Sequence, residues 1–197
     1  MLLAEHHTED DASFYVLFDR AATYGHPGEA QVVALHLQRD LEQRTFTLDR
    51  CPLPLASMAQ SWLISRGCPR EGIGLLPGRG TVAADETTVA LEARLAGDGD
   101  HYALLCSYTD DLSDTPETTV LLRAVDERDP QPFRGLVEAV DLAAGTHTLR
   151  ESRFTRPEEA TRWWDRHWSR PRTGVPTAPP PAPSPAPDPP FTPSRSR

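Results

Sequence analysis

The 197-residue chain has no lysine, no asparagine and only two isoleucines, against twenty arginines. Lysine and asparagine codons are rich in A and T, so a GC-rich bacterial genome is the economical source of that bias. The missing lysine also excludes chemistry. A Walker A loop needs a Lys on the nucleotide phosphates. Protein kinases need a strand Lys, and pyridoxal-phosphate enzymes need a Schiff-base Lys.

Cysteine is scarce and odd in number: Cys51, Cys68 and Cys106. No Cys-x-x-Cys pair is present, so a zinc site is not expected and the three read as structural thiols in a reducing cytoplasm. No run approaches eighteen apolar residues, so no membrane span is expected. The start, "MLLAEHHTEDDA", lacks a basic segment ahead of an apolar stretch and is not read as a secretory leader. Residues 1–12 are expected to be flexible, and "HHTEDD" with its two histidines and three acids is not taken as a metal site.

Catalytic signatures are missing too. There is no Gly-x-Ser-x-Gly elbow and no His-Glu-x-x-His. The glycines of "GIGLLPGRG" do not fit the dinucleotide fingerprint, and "DDLSD" departs from the calcium-loop spacing. No carboxylate pair is singled out by its spacing. No cofactor and no metal are expected.

The charge that is present is uneven. The formal net charge is −9, with eighteen Asp/Glu against eight Arg up to residue 116, and ten against nine over residues 117–170. That acidity disfavours a dedicated nucleic-acid binder, although a local basic patch could still meet phosphates.

The apolar pattern gives the elements. "SFYVLFD" reads as a strand, and "QVVALHLQRD" with "RTFTLDR" reads as a hairpin. Leu55, Met58, Ala59, Trp62 and Leu63 mark a helix, with Pro54 in its first turn and Gly67 just past its end. "DETTVALEARLAGDG" is a second helix, capped by Asp85 and ended by Gly97. "HYALLCSY", "ETTVLLRAVD", "FRGLVEAVDL" and "THTLRESRF" form a four-strand antiparallel meander, whose polar last member suits an edge.

The last helix carries the densest signal. Thr155 and Glu158 fit a capping box, with Pro157 in the first turn. Ala160, Trp163, Trp164, His167 and Trp168 recur at helical spacing, which lays the indoles on the meander. Between residues 147 and 172 there are seven arginines against four acids. Arg150, Arg153 and Arg156 lie on the last strand and the turn after it. Arg162, Arg166 and Arg170 form an i, i+4, i+8 ladder on the outer face, with Glu158 set to pair Arg162. These six arginines and Trp168 are the candidate binding residues.

From Thr173 onward, ten of twenty-five residues are proline, which reads as an extended or disordered tail. The expected organisation is a flexible stretch over 1–12, a single α+β domain over 13–170 and a proline-rich tail over 171–197. The fold class is α+β: an antiparallel β-meander with about three helices packed on it.

The join of strand and helix through Phe154, Thr155, Glu158, Ala160 and Trp163 resembles the arm-binding domains of phage integrases, over residues 117–168. That resemblance implies a three-stranded sheet plus a helix set against DNA. The residues themselves favour a non-enzymatic cytoplasmic accessory module that contacts a protein partner through the Trp/Arg-rich helix and tail. A nucleic-acid-binding module and an enzyme of hydrolase type are the alternatives. The enzyme would need a concave pocket where titratable groups converge.

Overall fold

The computed structural model describes residues 1–98, 101–112 and 114–168. The proline-rich segment and Arg170 lie outside the described residues.

Two sheets organise the chain. The first joins β1 (Leu2–His7), β2 (Ala12–Phe18), β3 (Val32–Asp40) and β4 (Thr45–Leu53) in sequence order, all antiparallel. A one-turn helix, α1 (Ala22–Gly25), sits between β2 and β3. Next come α2 (Ala56–Ile64), the two-residue β5 (Val82–Ala83) and α3 (Glu86–Asp98). The second sheet holds the meander β6 (Tyr102–Asp110), β7 (Glu117–Ala124), β8 (Phe133–Asp141) and β9 (Thr146–Phe154), in the order β5-β9-β8-β7-β6. The chain closes with α4 (Pro157–Trp168). The α+β meander with helices packed on it is therefore present, accompanied by a second meander.

The stripe Leu55, Met58, Ala59 and Leu63 is buried, as its spacing requires. It sets α2 across β2, β3 and β4 and against α3, which in turn packs on β9. Strand alternation does the rest. Val120, Leu122, Leu136 and Leu149 face inward and share one core with Phe14, Val16, Leu63, Leu91 and Leu95. Leu121 faces the other way and meets Ala160 and Trp163 of α4. The indole of Trp163 lies directly over Gly135, where an added Cβ would come within 2.6 Å of the ring. Glycine in the middle of β8 is thus a socket for the tryptophan. Trp163 is buried and Trp164 partly buried; the Trp168 side chain lies outside the described residues.

Several expectations are corrected. Residues 1–12 do not form a loose end: Leu2–His7 is a strand with Leu3 and Ala4 buried, and the Met1 ammonium donates to the Phe18 carbonyl at 2.7 Å. The acidic cluster after it is the β1–β2 turn, with Asp11 at φ 58°. β9 is covered only at its start, where β5 pairs in parallel with Thr146 and His147; its remaining residues form the edge that was expected. Its polar residues also have ionic partners. Gly97 lies inside α3 rather than ending it, where the Arg70 guanidinium crosses the helix and donates to the Ala93 carbonyl at 3.1 Å. Pro54 precedes α2, whose N-cap is Leu55. α4 opens at Pro157, so the cap position falls to Arg156, whose carbonyl accepts from the amides of Glu159 and Ala160. Gly67 and Asp85 hold the roles expected of them: Gly67 takes φ 94° after α2, and Asp85 Oδ1 accepts from the Thr88 amide at 2.8 Å.

Two crossings tie the sheets together at one end. On one side, the segment after α2 donates from the Leu76 amide to the Leu3 carbonyl (2.8 Å), then from the Ala84 amide to the His147 carbonyl (2.8 Å). It thereby spans from β1 to β9. On the other side, the Thr109 amide donates to the Gly28 carbonyl at 3.2 Å. Gly28 has φ 91° and lies against the Tyr108 ring, a position only glycine fills without strain. Between these two straps the sheets part.

Candidate ligand-binding cleft

The arginines singled out by sequence are divided by the fold. Arg150 and Arg153 sit three positions apart on a strand, so they point to opposite faces. Arg150 turns to the start of α3, where it donates to Asp85 Oδ2 at 2.5 Å and Thr88 Oγ1 at 3.1 Å. Those bonds hold the Asp85 carboxyl well below the usual carboxylate range, Arg150 contributing most and Thr88 next. Arg153 Nε donates to Glu151 Oε2 at 2.7 Å. Arg156, Arg162 and Arg166 are exposed. Arg162 Nε donates to the Glu158 backbone carbonyl at 3.2 Å rather than pairing with its carboxylate. Among the described residues the candidates therefore do not converge: Arg150 and Arg153 are held in separate ion pairs, and Arg156, Arg162 and Arg166 lie on or beside the outer side of α4.

What converges instead is a set of residues that the spacing did not single out. The gap between the straps is a cleft of about 420 Å³. Leu3, Phe18, Val32, Leu75 and Val140 give it apolar walls, and the exposed side chains of Arg20 and Arg79 stand at its rim. Glu138, His147 and Glu92 line it from β8, β9 and α3.

Two of the three are placed by strand register, and Glu92 reaches them from α3. Val140 pairs with His147 and Glu138 with Leu149, so Glu138 and His147 are diagonal neighbours on the inward face. His147 is buried, with Nε2 at 2.9 Å from Glu92 Oε1 and Nδ1 at 2.9 Å from Thr81 Oγ1. The bond to Glu92 raises the imidazole pKa above its ordinary value, and burial opposes it. A protonated ring donates from both nitrogens, to Glu92 and to the Thr81 hydroxyl; a neutral ring with its proton on Nε2 donates to Glu92 and accepts from the Thr81 hydroxyl at Nδ1.

Glu138 is the exception. Among the described residues its carboxyl has no hydrogen-bond partner. The surface it exposes faces the cleft rather than bulk solvent. Burial pushes the acid up to about 7, with His147 lowering it and Glu92 raising it further. A carboxyl held in apolar surroundings without a partner carries a desolvation cost that an incoming donor can relieve.

The other polar group on the wall is satisfied. Asp111 accepts from the Thr23 hydroxyl and from Gln31 Nε2 at 2.9 Å, which fixes α1 beside the cleft. Among the described residues no three His, Cys, Asp or Glu side chains are disposed to hold a metal ion. Among the same residues no helix is long and apolar enough to cross a membrane.

One signal for the site was present in the sequence. Glu138 is a lone acid inside "GLVEAV", a run otherwise made for burial. His147 and Glu92 carry no such mark, because they are fifty-five positions apart and meet only through the fold. No family model matches the chain, and no curated protein or solved structure matches it.

Proposed function

We propose that this chain is a non-enzymatic cytoplasmic accessory protein that binds a small organic molecule in the cleft between its two sheets. The observation that carries the reading is the Glu138 carboxyl, without a partner and facing an apolar cleft of about 420 Å³. Such a cleft, with a few polar groups among apolar walls, has the form of a small-molecule site. The hydrolase alternative would draw on Thr81, His147 and Glu92, which are hydrogen-bonded in series. Three free thiols suit a reducing compartment.

Titration with 1-hexanol, followed by amide chemical shifts, tests the reading. Saturable shifts of Phe18, Val32, Glu138 and Val140 are expected, and Val140→Trp, which fills the cleft, should abolish them. Shifts scattered over the surface, or none that saturate, would remove it.

A second reading retains the last helix as a contact surface for a protein partner. What supports it is the exposure of Arg162 and Arg166, one turn apart on α4. Co-purification of one stoichiometric partner with the native chain, lost in a double Arg162→Glu, Arg166→Glu variant, is the expected result. Retention by the variant would count against this helix. The nucleic-acid version requires binding in low salt that weakens steeply as salt rises; no retardation in low salt would end it.

A further inference from the structure

We propose that the ligand of the cleft is a small apolar amine, whose ammonium group docks on Glu138 while its hydrocarbon body lies on Leu3, Phe18, Val32 and Val140. This deepens the reading above and rests on it, because it assumes that the cleft is a binding site.

The assignment follows from which hydrogen-bonding capacity is already spent. At the buried end of the cleft, Glu92 and His147 are bonded to each other at 2.9 Å, and the second imidazole nitrogen is held by Thr81 at 2.9 Å. Both imidazole nitrogens are thereby engaged, and the ring has no N–H left to offer. An anionic ligand entering here would meet the charges of Glu92 and Glu138, with the neutral Thr81 hydroxyl as a donor against them. Of the two carboxylates at this end, Glu92 is bonded to His147 and Glu138 has no hydrogen bond; as a carboxylate it only accepts. An ammonium supplies what is lacking: a positive charge and up to three donors. With it in place, the charge of Glu138 is answered inside the cleft.

The apolar walls fix the other half of the molecule. The cleft residues contributed by β1, β2, β3 and β8 are Leu3, Phe18, Val32 and Val140, beside the acid. Arg20, Arg79 and the Met1 ammonium also line the cleft, and all three residues are exposed. Solvent therefore screens their repulsion of a cation bound deeper. Asp111, the remaining charged group on the wall, is engaged by Thr23 and Gln31.

Docking couples to protons. The free carboxyl titrates at about 7, so below that pH an ammonium must displace a proton to bind. An alkylammonium resembles the lysine side chain, with a pKa of about 10.4, and stays charged throughout. Its affinity should therefore fall by about tenfold per pH unit on the acid side of 7 and level off above it. His147, Glu92, Arg20, Arg79, Asp111 and the Met1 ammonium line the same cleft. His147, whose pKa is raised chiefly by its bond to Glu92, adds to the effect where it deprotonates.

The test is a matched series of three six-carbon probes measured by calorimetry: hexylamine, 1-hexanol and hexanoate. Hexylamine should bind about tenfold or more tightly than the other two at pH 8, the scale of one charge-assisted hydrogen bond. That advantage should shrink between pH 7 and 5.5 and disappear in Glu138→Gln. The Glu138→Gln variant should still bind 1-hexanol, which shows that it is folded with its cleft intact. If 1-hexanol or hexanoate binds at least as well as hexylamine, or if Glu138→Gln keeps the preference, the amine assignment is wrong and the binding cleft stands. If none of the three binds, both readings fall.

Discussion

Two acidic side chains on one face of one sheet have opposite circumstances. Glu151 on β9 pairs across the sheet with Leu136, and Glu138 on β8 pairs with Leu149, so both point inward. Around Glu151 the chain has gathered cations from three elements: Arg94 of α3 at 2.5 Å, Arg153 of β9 at 2.7 Å, and Arg134 of β8, whose Nε lies 3.5 Å away. Arg134 also holds Asp129 at 2.6 Å. Around Glu138 there is an apolar cleft and no donor. The first acid is part of the architecture, since its charge is answered before anything arrives. The second has no hydrogen bond among the described residues and only the electrostatic influence of His147, and it lines open space. Partner count, rather than acidity or burial alone, separates structure from site in this sheet.

The contrast can be broken most forcefully at Arg134. Its removal leaves Asp129 and Glu151 without their buried cation, and Arg134→Ala should cost about 3–5 kcal/mol in urea denaturation. A loss below about 1 kcal/mol would mean that the network is solvated and the comparison is false.

Next in size is the pH dependence set by Glu138. Its folded pKa is raised from 4.5 to about 7, so the folded state binds the proton more tightly than the unfolded chain does. Stability should therefore fall as pH rises through that window, by an amount on the order of 3 kcal/mol. His147, also raised, contributes in the same direction at the upper end of the window and beyond. Glu138→Gln should flatten the Glu138 part of the slope, read from urea midpoints between pH 4.5 and 8. An unchanged slope would show that the acid is solvated.

The smallest effect belongs to the outer face of α4. Arg162→Ala with Arg166→Ala should shift stability by less than about 0.5 kcal/mol, because neither side chain is buried. A larger loss would show that the helix's outer side is tied into the fold.

Much of the framework was legible because it repeats. The α2 stripe and the Trp163 face of α4 show helical periodicity within one window, and burial followed that periodicity. The arginine patch was not supported by the same kind of evidence. Arg150 and Arg153 are close in sequence, but alternation along β9 sends them to opposite faces, one to Asp85 and the other to Glu151. β1 was illegible because "LLAEHH" is short and half polar, and it is a strand only by pairing with β2. The site was hidden for a related reason. Glu138 and Glu151 look alike as letters, and the difference between them is a matter of which arginines reach each one through space.

The most direct measurement is a carbon-13 titration of the Glu138 side-chain carboxyl in the ligand-free protein. A midpoint near 7, moving down when hexylamine saturates the cleft, is what the unpartnered acid requires. A midpoint near the ordinary glutamate value of about 4.3, unmoved by the amine, would show that Glu138 is neither isolated nor waiting for a partner.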